Sequence, residues 1–371
     1  MPKQTLTKLE LSGFKSIRTL TDLTLGKINV LVGANGSGKS NLISFFKLLN
    51  WMTPSPGNLQ LHIGKTGGAH TLLHDGPDVT PQMVASMTFE TDAGCNQYYM
   101  RLFHAAEDTL IFADEKFRFS RRGWSTQADW ISVGSGHRES KLVEYGLPYG
   151  EETARTILKF LKQCVVYQFH NTSETARMRQ KWSVGDNRFL KEDAANLAPF
   201  LYRLRESRSD EYLRIVETIR QIAPFFADFV LEPEDDSIML QWRELGSDVI
   251  FGPHQASDGT LRAMALITLL LQPEEDLPAV VILDEPELGL HPYAIHIVAG
   301  LLRSISNHVQ VILATQSMTL IDHFDPEDII VVDRAKGEST FTRLDRGRLK
   351  DWLDEYSMAE LWEKNVIGGR P

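Results

Sequence analysis

The spacing of apolar residues changes character along the chain. Leu6, Leu9, Leu11, Phe14 and Ile17 punctuate a polar stretch, and Ile28 to Val32 is a short apolar, β-branched run ended by Gly33. That pattern predicts edge strands feeding one buried strand. From Thr53 to Pro81 the chain is rich in Gly, Pro and His, with Pro54, Pro56, Gly57, Gly64, Gly67, Gly68, Gly76 and Pro77, which predicts a long loop or lid. Strand-like pieces at Met87–Glu90, Tyr98–Phe103, Leu110–Phe112 and Phe117–Phe119 follow, separated by turn residues, and predict an antiparallel β insertion. Beyond Gly150 the spacing turns helical, at Ile157, Leu158 and Leu161, at Leu197, Leu201 and Leu204, and at Tyr212, Ile215, Val216, Ile219 and Ile222. A small helical lobe is expected there, without the heptads of a long coiled coil. Finally, Ala279–Leu283, Val309–Ala314 and Ile329–Val332 are continuous apolar runs with a helix-length segment between each pair. Buried parallel strands with crossover helices explain them. The expected units are 1–54 and 236–371, two parts of one α/β core, with 55–150 as loop and β insertion and 151–235 as helical lobe.

Composition narrows the class. With 39 Lys+Arg against 49 Asp+Glu, a net charge of −10, and 42% hydrophobic against 24% charged residues, the 371-residue chain has the proportions of a globular protein. The acidic balance gives no global attraction to nucleic acid, so any such contact needs a local basic patch. Cys95 and Cys164 form no C-x-x-C pair, which removes a disulfide scaffold and a Cys-rich zinc site and fits a reducing cytoplasm. The longest apolar stretch, Ala263–Leu271, is about half a membrane span, and no secretory leader pattern opens the chain. The histidines show no zinc-type spacing.

Three segments carry chemistry. Gly33-Ala-Asn35-Gly36-Ser-Gly38-Lys39-Ser40 satisfies G-x-x-x-x-G-K-[ST] between a predicted strand and a helix over Asn41–Leu49. Its glycines let backbone N–H groups wrap phosphates, Lys39 reaches the β and γ phosphates of ATP, and the Ser40 hydroxyl holds Mg²⁺. Val280 to Leu283 is an apolar strand ending in Asp284-Glu285, the pattern of a Walker B strand, with Asp284 as metal ligand and Glu285 polarising the attacking water. In Gln255-Ala-Ser257-Asp258-Gly259-Thr260, Ser257 or Asp258 is a natural N-cap for the apolar helix that follows, and Gly259 clears the helix mouth for an anion.

These segments in this order resemble the ABC-type ATPase heads of the SMC, RecF and OLD families. The third segment occupies the signature motif, with Ala256-Ser257-Asp258-Gly259-Thr260 where L-S-G-G-Q is usual. Thr5–Ile17 is similar to the SMC-type opening strands, Leu288-Gly-Leu-His-Pro292 lies at the D-loop, and Gln316 stands where the switch histidine normally lies. Gln168, after Val165–Tyr167, falls where the Q-loop would lie. The run Asp284–Pro292 and the ending Trp352…Gly368-Gly-Arg-Pro371 resemble stand-alone bacterial ATPases of the RecF/OLD-like kind.

The resemblance implies an α/β P-loop NTPase fold, an ABC-type head carrying the β insertion and helical lobe. It implies a head-to-tail homodimer around two ATP molecules, in which Lys39, Glu285 and Gln316 act in slow hydrolysis, Asn35, Gly36, Gly38, Ser40, Asn41 and Gln168 meet the nucleotide, Ser40 and Asp284 hold Mg²⁺, and Ser257 and Gly259 act on the partner's ATP. An amide at 316 orients water but cannot shuttle a proton as histidine does. The implied role is a nucleotide-driven switch in a DNA-associated or phage-defence complex with a separately encoded effector such as a Toprim nuclease. A transporter ATP-binding subunit and a non-hydrolysing ATP-bound scaffold are the alternatives. Lys116, Arg118, Arg121 and Arg122, interleaved with Phe117, Phe119 and Trp124, form a candidate DNA contact, with Lys116, Arg118 and Arg122 expected on one strand face. Only 371 − 316 = 55 residues follow Gln316, too few for a nuclease domain, and Asp345–Glu363 reads as one amphipathic helix.

Overall fold

The computed structural model describes residues 4–53, 58–123, 128–147 and 150–370. Pro54, Pro56 and Gly57 of the expected lid, Trp124 of the basic stretch and Pro371 lie outside the described residues. The chain opens with β1 (Thr5–Phe14) and β2 (Ile17–Thr24), then β3 (Ile28–Val32) and α1 (Lys39–Trp51). Within the expected lid lies a helix, α2 (Asn58–Lys65), which buries Leu59 and Ile63. Its first turn is held from a distance, because the Glu139 carboxylate accepts the N–H groups of Leu59 at 2.9 Å and Gln60 at 3.0 Å.

Strands β4 (Gln82–Glu90), β5 (Gly94–Ala105), β6 (Thr109–Arg121) and β7 (Ile131–Gly134) complete an antiparallel sheet of order β2-β1-β4-β5-β6-β7. The N-terminal strands therefore belong to the same sheet as the expected insertion, and β1 is an interior strand. The two pieces read at 110–112 and 117–119 are one strand, bent where β5–β6 register passes from Leu102↔Phe112 to Arg101↔Asp114 and leaves Ala113 unpaired. After α3 (Leu142–Tyr145), α4 (Glu152–Lys162) packs beneath this sheet, with the Phe160 and Phe89 ring centroids 4.5 Å apart. It thus joins the β half, and the next element, β8 (Cys164–Tyr167), is an edge strand of the second sheet.

The helical lobe proper holds β9 (Trp182–Ser183), α5 (Leu197–Ser207) and α6 (Ser209–Ile222). Short strands β10 (Phe226–Phe229), β11 (Ser237–Ile238), β12 (Trp242–Glu244) and β13 (Ile250–Phe251) follow, in a β10-β12-β13 sheet and a β11-β9 pair. Helix α7 (Asp258–Leu271) leads to β14 (Val280–Asp284), α8 (Pro292–Ile305) and β15 (Gln310–Thr315). The second crossover is shorter than expected, carrying only α9 (Met318–Ile321) and one 3₁₀ turn before β16 (Ile329–Ala335). Strand β17 (Glu338–Arg343) hairpins back on β16, and the final segment is two helices, α10 (Arg346–Leu353) and α11 (Met358–Glu363), in place of one. The break falls where Ser357 and Glu360 form a reciprocal capping box that starts α11 afresh.

The second sheet has the order β17-β16-β3-β15-β14-β8, parallel except for β17. It is the wall between two apolar cores. Val30, Val32, Val281, Leu283, Val311 and Leu313 face the core shared with α5–α8. Leu31, Val280, Ile282, Ile312 and Ala314 face the core shared with α1, α4 and the antiparallel sheet. Both faces are covered, so these strands read as continuous apolar runs instead of alternating.

Candidate functional site

The phosphate-binding type of loop leaves β3 at Gly33, where a Cβ would lie 2.2 Å from the Val332 carbonyl oxygen. Gly36 (φ 76°) and Gly38 (φ 116°) take left-handed backbone that permits the wrap into α1. Asn35, Gly36 and Ser40 are exposed, whereas Lys39 is buried and donates to the loop's own carbonyls, Gly33 at 2.5 Å and Ala34 at 2.9 Å. Burial holds the Lys39 ammonium below its usual pKa, opposed by Glu285, Asp284 and Glu287. Asn41 turns away from the loop mouth and donates to the Ser16 hydroxyl at 2.6 Å.

The loop is buttressed from the far end of the chain. The Ser339 hydroxyl lies 2.6 Å from that of Ser16 and donates to the Ser37 carbonyl at 2.5 Å, and Arg334 reaches the Gly36 carbonyl at 3.2 Å. A Cβ at Gly38 would sit 2.1 Å from the Ser339 hydroxyl oxygen. At Gly369 the backbone N–H donates to Asp333 at 2.9 Å, and a Cβ there would meet the Gly33 Cα at 3.4 Å. Of the buttressing residues, Asp333, Arg334 and Ser339 lie in no motif, while the paired glycines at 368–369 belong to the chain ending already singled out.

Strand β14 delivers the carboxylates. Asp284 is buried and accepts the Gln168 side-chain amide at 2.8 Å, while His170 Nε2 donates to the Asp284 carbonyl at 2.7 Å. Burial raises the Asp284 pKa, opposed by His170 and Gln168. Lys47 on α1 donates to the Gln168 Oε1 at 2.5 Å, so the residue after β8 links the P-loop helix to the carboxylate strand. Glu285 has φ 43°, its N–H donates to the Ala314 carbonyl at 2.8 Å, and its Oε1 accepts the Gln316 side-chain amide at 2.5 Å. Lys39, Asp284, Glu285, Gln316 and Gln168 thus converge at the carboxyl ends of β3, β14, β15 and β8, the expected place for a ligand in an open α/β sheet.

Ser257 caps α7, its hydroxyl accepting the Thr260 N–H at 3.1 Å. Arg179, buried and unremarked in sequence, holds Asp258 at 3.0 Å and donates to the Pro253 carbonyl. Arg262 ties this helix to the segment after β8 and to the D-loop, donating to the carbonyls of Phe169 at 3.2 Å, His170 at 2.9 Å and Leu288 at 3.2 Å. Among the described residues neither Ser257 nor Gly259 bonds to the P-loop, so the structure does not bring these two sites together within one chain.

The basic stretch on β6 is partly neutralised. Lys116 pairs with Asp114 at 2.9 Å and lies 4.3 Å from the Tyr99 ring centroid; Arg118 donates to Gln97 at 2.6 Å and stacks 4.3 Å from the Trp130 centroid. Arg121 ends the strand, and Arg122 lies beyond it, 4.0 Å from Glu90, so it does not continue the Lys116–Arg118 face. Among the described residues no helix is long and apolar enough to cross a membrane.

The wrapped glycine loop, buried Lys39, exposed Ser40 and desolvated Asp284 form a donor set suited to a nucleotide triphosphate with Mg²⁺. Fold and site define an ABC/SMC-type P-loop ATPase head. Two solved SMC heads share the fold. One, bound to the C-winged helix domain of ScpA, is 17% identical, with 93% of this chain and 99% of that chain covered and a TM-score of 0.60. Another, with an extended coiled coil and bound to the C-terminal domain of ScpA derived from Pyrococcus furiosus, is 15% identical, with 95% and 99% covered and a TM-score of 0.54. No curated protein matches the chain. Residues 28–322 match the family described as "AAA domain, putative AbiEii toxin, Type IV TA system", and the chain belongs to that family.

Proposed function

We propose that the protein binds and slowly hydrolyses ATP, and that a head-to-tail homodimer of it is a nucleotide-driven switch. The observation that carries this reading is the pairing of Gln316 with Glu285 at 2.5 Å beside the Gln168–Asp284 contact at 2.8 Å. Ser40 and Asp284 would hold Mg²⁺, which when bound would neutralise charge at the phosphates. Lys39 offsets the charge of the β and γ phosphates, with the Asn35–Gly38 backbone as the cradle. Glu285 orients the attacking water and takes its proton, and Gln316 keeps that carboxylate aimed. Ser257 and Gly259, at the mouth of α7 and unconnected to their own P-loop, act on the partner's nucleotide. The test is ATP turnover by wild type and Glu285→Gln, where equal rates would remove the catalytic assignment.

The OLD-like run at 284–292 supports a cytoplasmic defence role in which ATP state governs a separately encoded effector such as a nuclease, while the family description names a "putative AbiEii toxin, Type IV TA system". Lys116 and Arg118, stacked against Tyr99 and Trp130, with Arg121 and Arg122 at the end of the strand, supply its DNA contact, expected to weaken steeply with salt and to be lost on alanine substitution at all four. Co-purification of a soluble nuclease from the native host supports the effector reading, and a membrane-protein partner supports a transporter instead. Gln316, which cannot shuttle a proton, favours a second reading, an ATP-bound scaffold that never turns over. Single-turnover assays separate the two.

A further inference from the structure

We propose that Glu287 is a positioning residue for hydrolysis, clamping the Thr315–Gln316 segment so that the Gln316 amide faces Glu285. This rests on the ATPase reading above. The geometry begins in the turn after β14. Glu285 adopts φ 43°, Pro286 has its own φ locked by its ring, and the Leu288 N–H closes onto the Glu285 carbonyl at 3.2 Å, which turns the Glu287 side chain back toward the end of β15. There one carboxylate oxygen, Oε1, accepts both the Thr315 hydroxyl at 2.5 Å and the Gln316 backbone N–H at 3.2 Å. The chain of bonds continues, since the Thr315 hydroxyl accepts the Ser317 N–H at 2.9 Å and the Ser317 hydroxyl caps α9 through the Leu320 N–H at 3.2 Å. Glu287 therefore organises the backbone on which Gln316 is mounted.

The second carboxylate oxygen makes the arrangement unusual. Glu287 Oε2 is shut off from solvent and has no hydrogen-bond partner among the described residues. A buried polar atom left without a partner is disfavoured, so its retention here calls for a compensating role, which the bonds of Oε1 supply. Burial also raises the Glu287 pKa, partly countered by the Thr315 and Gln316 bonds. Thr315 is itself fully buried, so without Glu287 its hydroxyl would lose that acceptor. Among the described residues Glu287 makes no hydrogen bond to the P-loop or the signature segment, and its one link to the loop is the electrostatic pull on Lys39, the weakest of the three carboxylates named there, so its main effect falls on the turnover step.

The test compares wild type, Glu287→Ala and Glu287→Gln, measuring kcat and, separately, affinity for a fluorescent ATP analogue. The alanine variant is expected to lose at least about tenfold in kcat with affinity within about twofold of wild type. Glutamine keeps an acceptor oxygen for Thr315 and the Gln316 N–H, and is expected to recover kcat to within about threefold. Unchanged kcat in Glu287→Ala, or parallel loss of kcat and affinity, overturns the assignment. If the alanine variant does not fold, the glutamine variant decides: folded, binding ATP and retaining turnover supports the clamp, while folded, binding and inactive overturns it. A wild-type protein that binds ATP without turning it over removes the ATPase reading and this one together, whereas wild-type turnover with a silent Glu287→Ala removes only this one.

Discussion

Gly259 and Gly289 meet backbone to backbone: a Cβ on Gly259 would lie 2.3 Å from the Gly289 carbonyl oxygen. The start of α7 and the D-loop are thereby one unit, stapled further by Arg262 on the Leu288 carbonyl. Gly259→Val pushes against backbone that has no rotamer to yield. It is expected to cost about 1–3 kcal/mol in stability and to abolish ATP-dependent dimerisation. Chemical denaturation and light scattering check the two halves.

Substitution of Glu285 by Gln keeps the Gln316 contact geometry but removes the proton acceptor. ATP should persist in the site and hold a dimer, while Lys39→Ala should bind no ATP. Light scattering of Glu285→Gln with ATP reads the outcome, and a strictly monomeric species contradicts the dimer.

Acid should find His62. Burial, reinforced by Lys15, Lys47 and Lys65, lowers its pKa from 6.5 to about 4, and its Nε2 has no hydrogen-bond partner among the described residues. The neutral ring packs on Trp51 at 5.5 Å. Because the folded-state pKa lies below the unfolded one, the unfolded chain binds the extra proton, and stability falls as pH drops from 6.5 through 4. The loss approaches about 3 kcal/mol across that window. His62→Phe keeps the ring and removes the proton, so its denaturation midpoint should change less than wild type's between pH 7 and pH 4.5. Parallel curves would show that other groups drive the acid transition.

The Ser339 hydroxyl serves both Ser16 and the Ser37 carbonyl. Ser339→Ala leaves both without that partner and should cost about 1–3 kcal/mol in stability. Part of that loss should appear as weaker ATP affinity, since the loop is freed to move; titration with a fluorescent analogue measures it, and wild-type affinity would show that the hydroxyl does not hold the loop.

The Walker segments were legible because phosphate chemistry demands fixed residue types at fixed local spacing, and Gly33 to Ser40 sits between β3 and α1 as that chemistry requires. The parallel strands were legible because a strand covered on both faces must be apolar throughout. What failed to show was anything set by a distant partner. Helix α2 is short and glycine-flanked, and its cap is Glu139, about eighty residues away. Strand β17, Glu338–Arg343, has only Ser339 fully buried, so its alternation gives little hydrophobic signal. Glu287 lies within the Asp284–Pro292 run with no role of its own legible there, and only the fold puts it against Thr315.

The support beneath the P-loop also sets an order in time. Ser37 and Ser339 are 302 positions apart, and at about 5–20 residues per second the ribosome takes roughly 15–60 s to pass from one to the other. During that interval the nascent loop lacks its underside, and the parallel pairing of β3 with β15 and β16 is equally out of reach. On the ATPase reading proposed above, a truncated product that ends before the β16–β17 hairpin lacks the Ser339 and Arg334 contacts beneath its loop and is expected to hold ATP more weakly than the full chain.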